Sequence, residues 1–83
     1  MNQTELLNSS PHVVGTKQTM KAVSNRQAKL VFIASDCNDF MKNKILEACK
    51  ETQTEYLWAD SMDVLGKACG ISRGAATAAI LKN

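Results

Sequence analysis

The chain carries an uninterrupted apolar run, Leu30-Val31-Phe32-Ile33-Ala34, which is bounded by Lys29 and Ser35. A strand with one solvent-facing side alternates apolar and polar residues, whereas a run without alternation is typical of a strand covered on both faces. The run therefore predicts a central strand with helices above and below it.

Segments with helical and strand patterns alternate on both sides of this run. Helices are predicted over about 16–25, from 38 onward and over 61–69, and short strands over 12–14 and 55–59. Ser61 and Asp63 suit the start of the third helix, and Gly70 suits its left-handed end. The alternation predicts an α/β fold, a three-layer α-β-α sandwich with a small mixed central sheet.

Two segments stay ambiguous at this level. The stretch 75–81 is rich in alanine, which favours helix on propensity, yet small side chains would also let helices pack closely on a last strand. Residues 1–10 are polar around a Leu-Leu pair and are compatible with one short helix closed by Pro11.

Length and composition limit the class of protein. The 83 residues are expected to form one domain, 1–83, and 45% hydrophobic with 22% charged residues is ordinary for a globular chain. No leader or membrane-spanning run stands out, so a cytoplasmic monomer without membrane attachment is expected. The sequence has one histidine and no glycine-rich phosphate loop, so we expect neither catalysis nor a cofactor.

The three cysteines are Cys37, Cys49 and Cys69, an odd number without a C-x-x-C pair. This spacing is unlike that of zinc sites, and we expect buried, reduced, structural thiols and no bound metal. A thiol-based redox or metal sensor is the weaker alternative.

Positive charge is unevenly distributed along the chain. The formal net charge is only +2, but no acid lies between Glu5 and Asp36 and none follows Asp63. The cations of these two segments are Lys17, Lys21, Arg26 and Lys29 in the first, and Lys67, Arg73 and Lys82 in the second. If the segments meet on one surface, they form a local basic patch.

One part of the first basic segment places positive charge at a helix start, namely Gly15-Thr16-Lys17-Gln18-Thr19-Met20-Lys21. Gly15 and Thr16 are expected to form a turn and N-cap, with Lys17, Gln18 and Lys21 on the outer face of the helix. The helix dipole opposes lysine at this end. An anionic partner, met by lysines and free backbone N–H groups, would explain the arrangement.

This stretch with the following Ala22-Val23, together with residues 65–71 and the small-residue run from Ala75, resembles the kink-turn-binding large-subunit ribosomal protein family. The resemblance covers about residues 12–81 and is closest to the small bacterial relatives of that family. It implies an α-β-α sandwich that binds kink-turn RNA, a sharply bent duplex with tandem sheared G·A pairs.

The resemblance also implies which residues bind RNA. The family's first motif, Gly-x-Asn-Glu-x-x-Lys, is matched by Gly15 and Lys21, while Lys17 and Gln18 replace the Asn and Glu, as in the small bacterial relatives. In the family the Asn, Glu and Lys side chains of this motif read the edges of the guanines in the G·A pairs, so Gln18 and Lys21 would do so here. In the second region Ile71 would pack on an extruded nucleotide, and Ser72 and Arg73 would contact sugar or phosphate. The implied RNA-binding set is Gly15, Thr16, Lys17, Gln18, Lys21, Ile71, Ser72 and Arg73.

The sequence thus predicts a non-catalytic, ribosomal-protein-like RNA-binding protein that stabilises kink turns. Ribosomal RNA, a riboswitch and another ribonucleoprotein RNA all remain open as the target. A protein-interaction module on the same fold is the main alternative. For Trp58, packing in the core or at a strand edge is favoured over a base-stacking platform.

Overall fold

The computed structural model describes residue 7 and residues 10–82 of the chain. In this part the strands are β1 (His12–Val14), β2 (Ala28–Ala34), β3 (Glu55–Ala59) and β4 (Thr77–Leu81), and the helices are α1 (Thr16–Ser24), α2 (Asp39–Thr52) and α3 (Met62–Ala68). The predicted helix within 1–10 lies outside the described residues, except for Leu7, which is buried.

The strands form one mixed sheet in the order β1-β4-β2-β3. β2 runs parallel to β3, and β4 runs antiparallel to both β1 and β2. β2 is central, and its residues Val31 to Ala34 have no exposed surface, which confirms the prediction from the apolar run. β2 begins two residues before the run, because Ala28 already pairs with Leu81 of β4.

The ambiguous stretch near the C-terminus is a strand. β4 lies between β1 and β2, so its backbone groups bond on both sides, and this pairing outweighs the helical propensity of alanine. Ala78 and Ala79 are completely buried, and α1 contacts β4. The small side chains therefore allow close helix packing, as the strand alternative requires.

The helices complete a three-layer α-β-α sandwich, as predicted. α1 contacts β1, β4 and α2, while α3 contacts β2, β3 and β4. Each helix contributes a completely buried apolar side chain to the core, namely Val23, Ile45 and Leu65. None of the helices in the described part is long and apolar enough to cross a membrane.

The helix ends follow the local sequence signals. The Asn38 side chain accepts a hydrogen bond from the Met41 N–H (2.8 Å), and the Ser61 hydroxyl accepts one from the Val64 N–H (3.1 Å). Gly70 adopts the left-handed conformation predicted for the end of α3, with φ of 79°.

The three cysteines are buried free thiols, as predicted. Burial raises the pKa of each thiol, and for Cys37 this effect outweighs the opposing charge of Lys42. A raised pKa keeps the thiol neutral, so these side chains behave as small hydrophobic groups.

Candidate nucleic-acid interface

The pairing of β1 with β4 brings together the two segments that the sequence singled out. Val14 pairs with Ala78, and the N–H of the next residue, Gly15, donates to the Thr77 carbonyl oxygen at 2.9 Å. The start of α1 therefore lies beside the segment that leads into β4. We call this end of the sheet, where β1, β2 and β3 finish and β4 begins, the interface end.

The start of α1 differs from the prediction in one respect. The N-cap is Gly15 alone, with φ of 97° and no side-chain capping bond, and Thr16 is already the first helical residue. β1 continues to Val14, so one residue must make the whole turn, and glycine adopts the required positive φ without a Cβ clash. The first N–H groups of the helix therefore lack a capping side chain.

The outer face of α1 carries the predicted polar side chains. Lys17, Gln18 and Lys21 are exposed, whereas Thr19 and Val23 on the other face have no exposed surface. The first turn of α1 has no acidic residue, and neither lysine belongs to an ion pair with any residue that the structure describes. Lys17 therefore places unneutralised positive charge at the positive end of the helix dipole, whereas Lys21 lies in the last turn of α1, where the dipole favours a cation.

The second segment is the loop from Gly70 to Ala76 between α3 and β4. The Gly70 N–H donates to the Lys67 carbonyl (3.0 Å) and the Ile71 N–H to the Gly66 carbonyl (3.1 Å), which closes α3 in a Schellman motif. After this turn Ile71 is half-buried, while Ser72 and Arg73 are exposed.

This loop lies directly on α3 because α3 contains a glycine. A Cβ on the buried Gly66 would collide with the Arg73 carbonyl oxygen, so only glycine permits this approach. The Ala75 N–H then donates to the Met62 carbonyl oxygen at 3.0 Å. The position of Ser72 and Arg73 is thus set by the surface of α3.

Sequence reasoning missed the residue that anchors the start of α3. The Asp36 carboxylate, in the turn after β2, accepts a hydrogen bond from the Met62 N–H at 2.7 Å. The Ser35 hydroxyl in the same turn donates to the Asp60 carbonyl, also at 2.7 Å. These contacts span 26 and 25 positions of the chain, so no local pattern signals them.

The sequence also did not indicate that three threonine hydroxyls would be buried. The side-chain oxygens of Thr16, Thr19 and Thr77 are buried and have no hydrogen-bond partner among the described residues. Thr16 and Thr19 belong to the first turns of α1, and Thr77 is the residue that receives the Gly15 N–H. No sequence pattern marks them.

The basic residues do not form a single patch. Arg26, Lys29 and Lys82 surround a cavity of about 360 Å³ at the opposite end of the sheet, together with Glu55. Lys67 forms an ion pair with Asp63 at 3.3 Å, between two exposed side chains. Cations of both basic segments therefore meet at the cavity, as expected, but at the opposite end of the sheet from Lys17, so they do not form one patch with the interface end.

The described residues contain no group of three or more His, Cys, Asp or Glu side chains that would hold a metal ion. A small cavity of about 170 Å³ lies along α1. Its lining includes the polar residues Gln18 and Lys21 and the apolar residues Val13 and Leu81. The available groups at the interface are thus cations, amides, hydroxyls and backbone N–H groups.

Comparison with known proteins gives a family for this arrangement. The model of the ribosomal protein L7Ae/L30e/S12e/Gadd45 family matches residues 3–83. The chain belongs to this family.

Relatives in the family resemble the chain over most of its length. An RNA-binding protein of Caldanaerobacter subterraneus subsp. tengcongensis is 49% identical over 67 residues, which cover 81% of this chain and 82% of the relative. An RNA-binding protein of Geobacillus sp. is 40% identical over 82 residues, or 99% and 100% of the two chains.

Solved structures show the same fold. The 15.5kD RNA binding protein of Giardia lamblia superposes with a TM-score of 0.80 at 29% identity, over 95% of this chain and 72% of that one. A protein of unknown function from Bacillus halodurans superposes with a TM-score of 0.84 at 26% identity, over 95% and 83% of the two chains.

Proposed function

We propose that this member of the L7Ae/L30e/S12e/Gadd45 family is a non-catalytic, monomeric RNA-binding protein that recognises and stabilises kink turns. Its partner is a structured RNA that contains a kink turn, such as ribosomal RNA, a riboswitch or another ribonucleoprotein RNA. The proposed RNA-binding residues are Gly15, Thr16, Lys17, Gln18, Lys21, Ile71, Ser72 and Arg73.

The observation that carries the proposal is the Gly15–Thr77 hydrogen bond of 2.9 Å. It joins two segments that lie more than fifty positions apart in the sequence and that the resemblance assigns to one RNA site. Relatives that cover most of this chain are RNA-binding proteins by name, which supports the same class of ligand.

The chemistry of the interface suits an opened RNA groove. The major groove of a regular RNA duplex is too narrow for side chains, so proteins read RNA where bends or unpaired bases expose base edges. Gln18 offers an amide that both donates and accepts, and Lys21 offers a donor, on one exposed helix face. No Cβ is present at Gly15 to hold a partner away from the helix N-terminus.

Binding would act on the RNA by population shift. A protein that binds the kinked state better than the extended state raises the population of the kinked state by its difference in affinity. No chemical step is required. The buried thiols support this class over a redox sensor, which needs an accessible thiolate.

A comparison of two RNAs tests the proposal. The dissociation constants for a kink-turn RNA and a straight duplex of equal length are measured for the unchanged chain, Lys21→Ala and Lys29→Ala. We expect a preference for the kink turn, and a roughly tenfold or larger loss of that preference in Lys21→Ala. Lys29→Ala, at the opposite end of the sheet, should lower both affinities slightly and equally. Equal affinity of the unchanged chain for both RNAs would contradict the proposal.

A further inference from the structure

Two aromatic side chains are exposed on the last strand of the sheet. Tyr56 is 42% and Trp58 50% exposed, and their rings meet edge to face with centroids 6.1 Å apart. The chain has four aromatic residues, and among them only Phe32 is in the buried core. Large aromatic groups that a small core leaves at the surface are typical of contact sites for partners.

The strand that carries these rings has an open edge. β3 is an outer strand of the sheet and, among the described residues, pairs only with β2. The pairing runs from Leu30 opposite Glu55 to Ala34 opposite Ala59. No strand of the described part of the chain bonds to the backbone N–H and C=O groups on the other side of β3. β3 contains no lysine, proline or bulge, the features with which proteins usually protect such an edge.

The charge around β3 indicates which kind of partner could pair with this open edge. Residues 55–60, which comprise β3 and the residue after it, contain two acids and no lysine or arginine. Glu55 and Asp60 flank the exposed rings, are themselves exposed and form no ion pair with any described residue. Glu55 also lines the cavity of Arg26, Lys29 and Lys82, so Asp60 is the acid of this edge that lies away from those cations. Negative charge at this edge disfavours RNA as the occupant, because it repels the phosphates. It also disfavours a second copy of the chain, because the acids of the two β3 strands would then face each other.

We propose that β3 is a docking strand for an extended, basic segment of a protein partner. The segment adds as a fifth strand, with main-chain hydrogen bonds to β3, its apolar side chains on Tyr56 and Trp58, and its lysines or arginines near Glu55 and Asp60. An open cavity of about 500 Å³, lined by Leu30, Thr54, Glu55, Tyr56 and Leu57, provides room for one of its side chains. This surface does not include the proposed RNA-binding residues.

The test uses two peptides of equal length, acetyl-(Lys-Val)4-amide and acetyl-(Glu-Val)4-amide, titrated into the full chain. Trp58 is the only tryptophan, so its fluorescence reports on this edge alone, and NMR amide exchange reports on the β3 backbone. We expect the basic peptide to shift the Trp58 emission and to slow exchange of β3 amides. It should bind at least about threefold more tightly than the acidic peptide, as for two exposed ion pairs.

Variants separate the role of each group. The double substitution Glu55→Lys and Asp60→Lys should reverse the preference between the peptides, and Trp58→Ala should weaken both, as measured by amide shifts. Phe40→Ala is the matched control, because Phe40 is 76% exposed but belongs to α2. It should leave peptide binding unchanged, and circular dichroism confirms that each variant is folded.

Three results would overturn the proposal. A single-stranded oligouridylate that shifts Trp58 more than the basic peptide would make the aromatic pair a base-stacking platform. Protection of β3 amides that grows with protein concentration, without peptide, would make a second copy the occupant. Absence of β3 protection at millimolar basic peptide would exclude docking, whatever the outcome of the kink-turn measurements.

Discussion

Gln18 is the residue at which direct reading of a base and simple charge attraction predict opposite effects. It is exposed, stands third in α1 and lies between Lys17 and Lys21 on the outer helix face. Its amide accepts a hydrogen bond without a charge to strengthen it. The resemblance places a glutamate at this position in most of the family.

We therefore predict that Gln18→Glu binds a kink-turn RNA as tightly as the unchanged chain, or more tightly. A carboxylate forms a stronger, charge-assisted hydrogen bond with a guanine edge. The same change removes positive charge from the interface and should weaken binding to a straight duplex. An acid in the first turn of α1 should also stabilise the fold by roughly 0.3–1 kcal/mol through the helix dipole. Titrations with both RNAs and urea denaturation measure these effects.

Gln53→Glu provides the matched control for the change in charge. Gln53 is exposed at the end of α2 and lines the cavity at the opposite end of the sheet. This variant should lower both affinities slightly and equally. If Gln18→Glu weakens binding to both RNAs by the same factor, the interface is only a polyanion-binding surface.

Among the elements, α3 holds the proposed second contact loop in place. Gly66 lies against the Arg73 carbonyl oxygen, and a side chain there would push the loop away from the helix. We predict that Gly66→Ala lowers the free energy of unfolding by about 1–3 kcal/mol, as expected for overpacking. It should also weaken kink-turn binding more than straight-duplex binding, since Ser72 and Arg73 move together. Denaturation measures the change in the free energy of unfolding. RNA titration under conditions below the unfolding midpoint, where the variant is folded, measures the change in affinity.

Gly74→Ala is the comparison for this prediction, because its Cβ would meet its nearest neighbour, the Met62 Cβ, at 3.2 Å, a tight contact but not a direct collision like that at Gly66. Its effects should be smaller on both measurements. A Gly66→Ala protein that is destabilised but keeps the full kink-turn preference would show that the loop makes no specific contact.

The elements also show what a sequence can predict. The run at 30–34 and the caps Asn38 and Ser61 were predictable, because burial on both faces and helix capping depend on neighbouring residues. The strand at Thr77–Leu81 was not, since pairing with β1 and β2 decides against the propensity of alanine. The cap at Gly15 depends on where β1 ends, which Thr16 does not signal.

The candidate site likewise has features that the sequence predicts and features that only the tertiary fold reveals. Helical spacing alone places Lys17, Gln18 and Lys21 on one exposed face, and the structure confirms this. That residues 71–73 share the interface end with them came only from the resemblance, because it follows from the β1–β4 pairing. The separation of Arg26 from Lys17 likewise requires the tertiary fold.

At the scale of the whole molecule, the buried thiols should lower the free energy of unfolding as the pH becomes alkaline. Burial raises the pKa of Cys37, Cys49 and Cys69, so the folded chain keeps thiol protons that the unfolded chain releases. Their contribution is fully present below the ordinary thiol pKa of about 8.5 and is lost as pH rises through the raised values. We predict a decline in unfolding free energy above this pH, measured by urea denaturation across a pH series.

The triple Cys→Ala variant is the control for this effect. If it folds, the thiol part of the alkaline decline should disappear. Its kink-turn affinity at neutral pH should stay within a few-fold of the unchanged chain. An identical pH profile in both proteins would show that the thiols do not titrate with unfolding, and a large loss of RNA affinity in the folded variant would contradict their structural role.

The two groups of cations make the salt dependence of RNA binding a test of how the molecule is oriented on RNA. Lys17, Lys21 and Arg73 belong to the proposed RNA-binding set, whereas Lys67 is paired with Asp63, and Arg26 lies at the opposite end of the sheet. With about three phosphates neutralised, affinity for a kink turn should fall roughly 40-fold between 50 and 200 mM salt.

Lys17→Ala should reduce the logarithmic slope by about one, since it removes one phosphate contact. Arg26→Ala should leave the slope unchanged. If both variants change the slope equally, RNA also contacts the opposite end of the sheet, and a slope near zero would exclude the interface end as the binding surface.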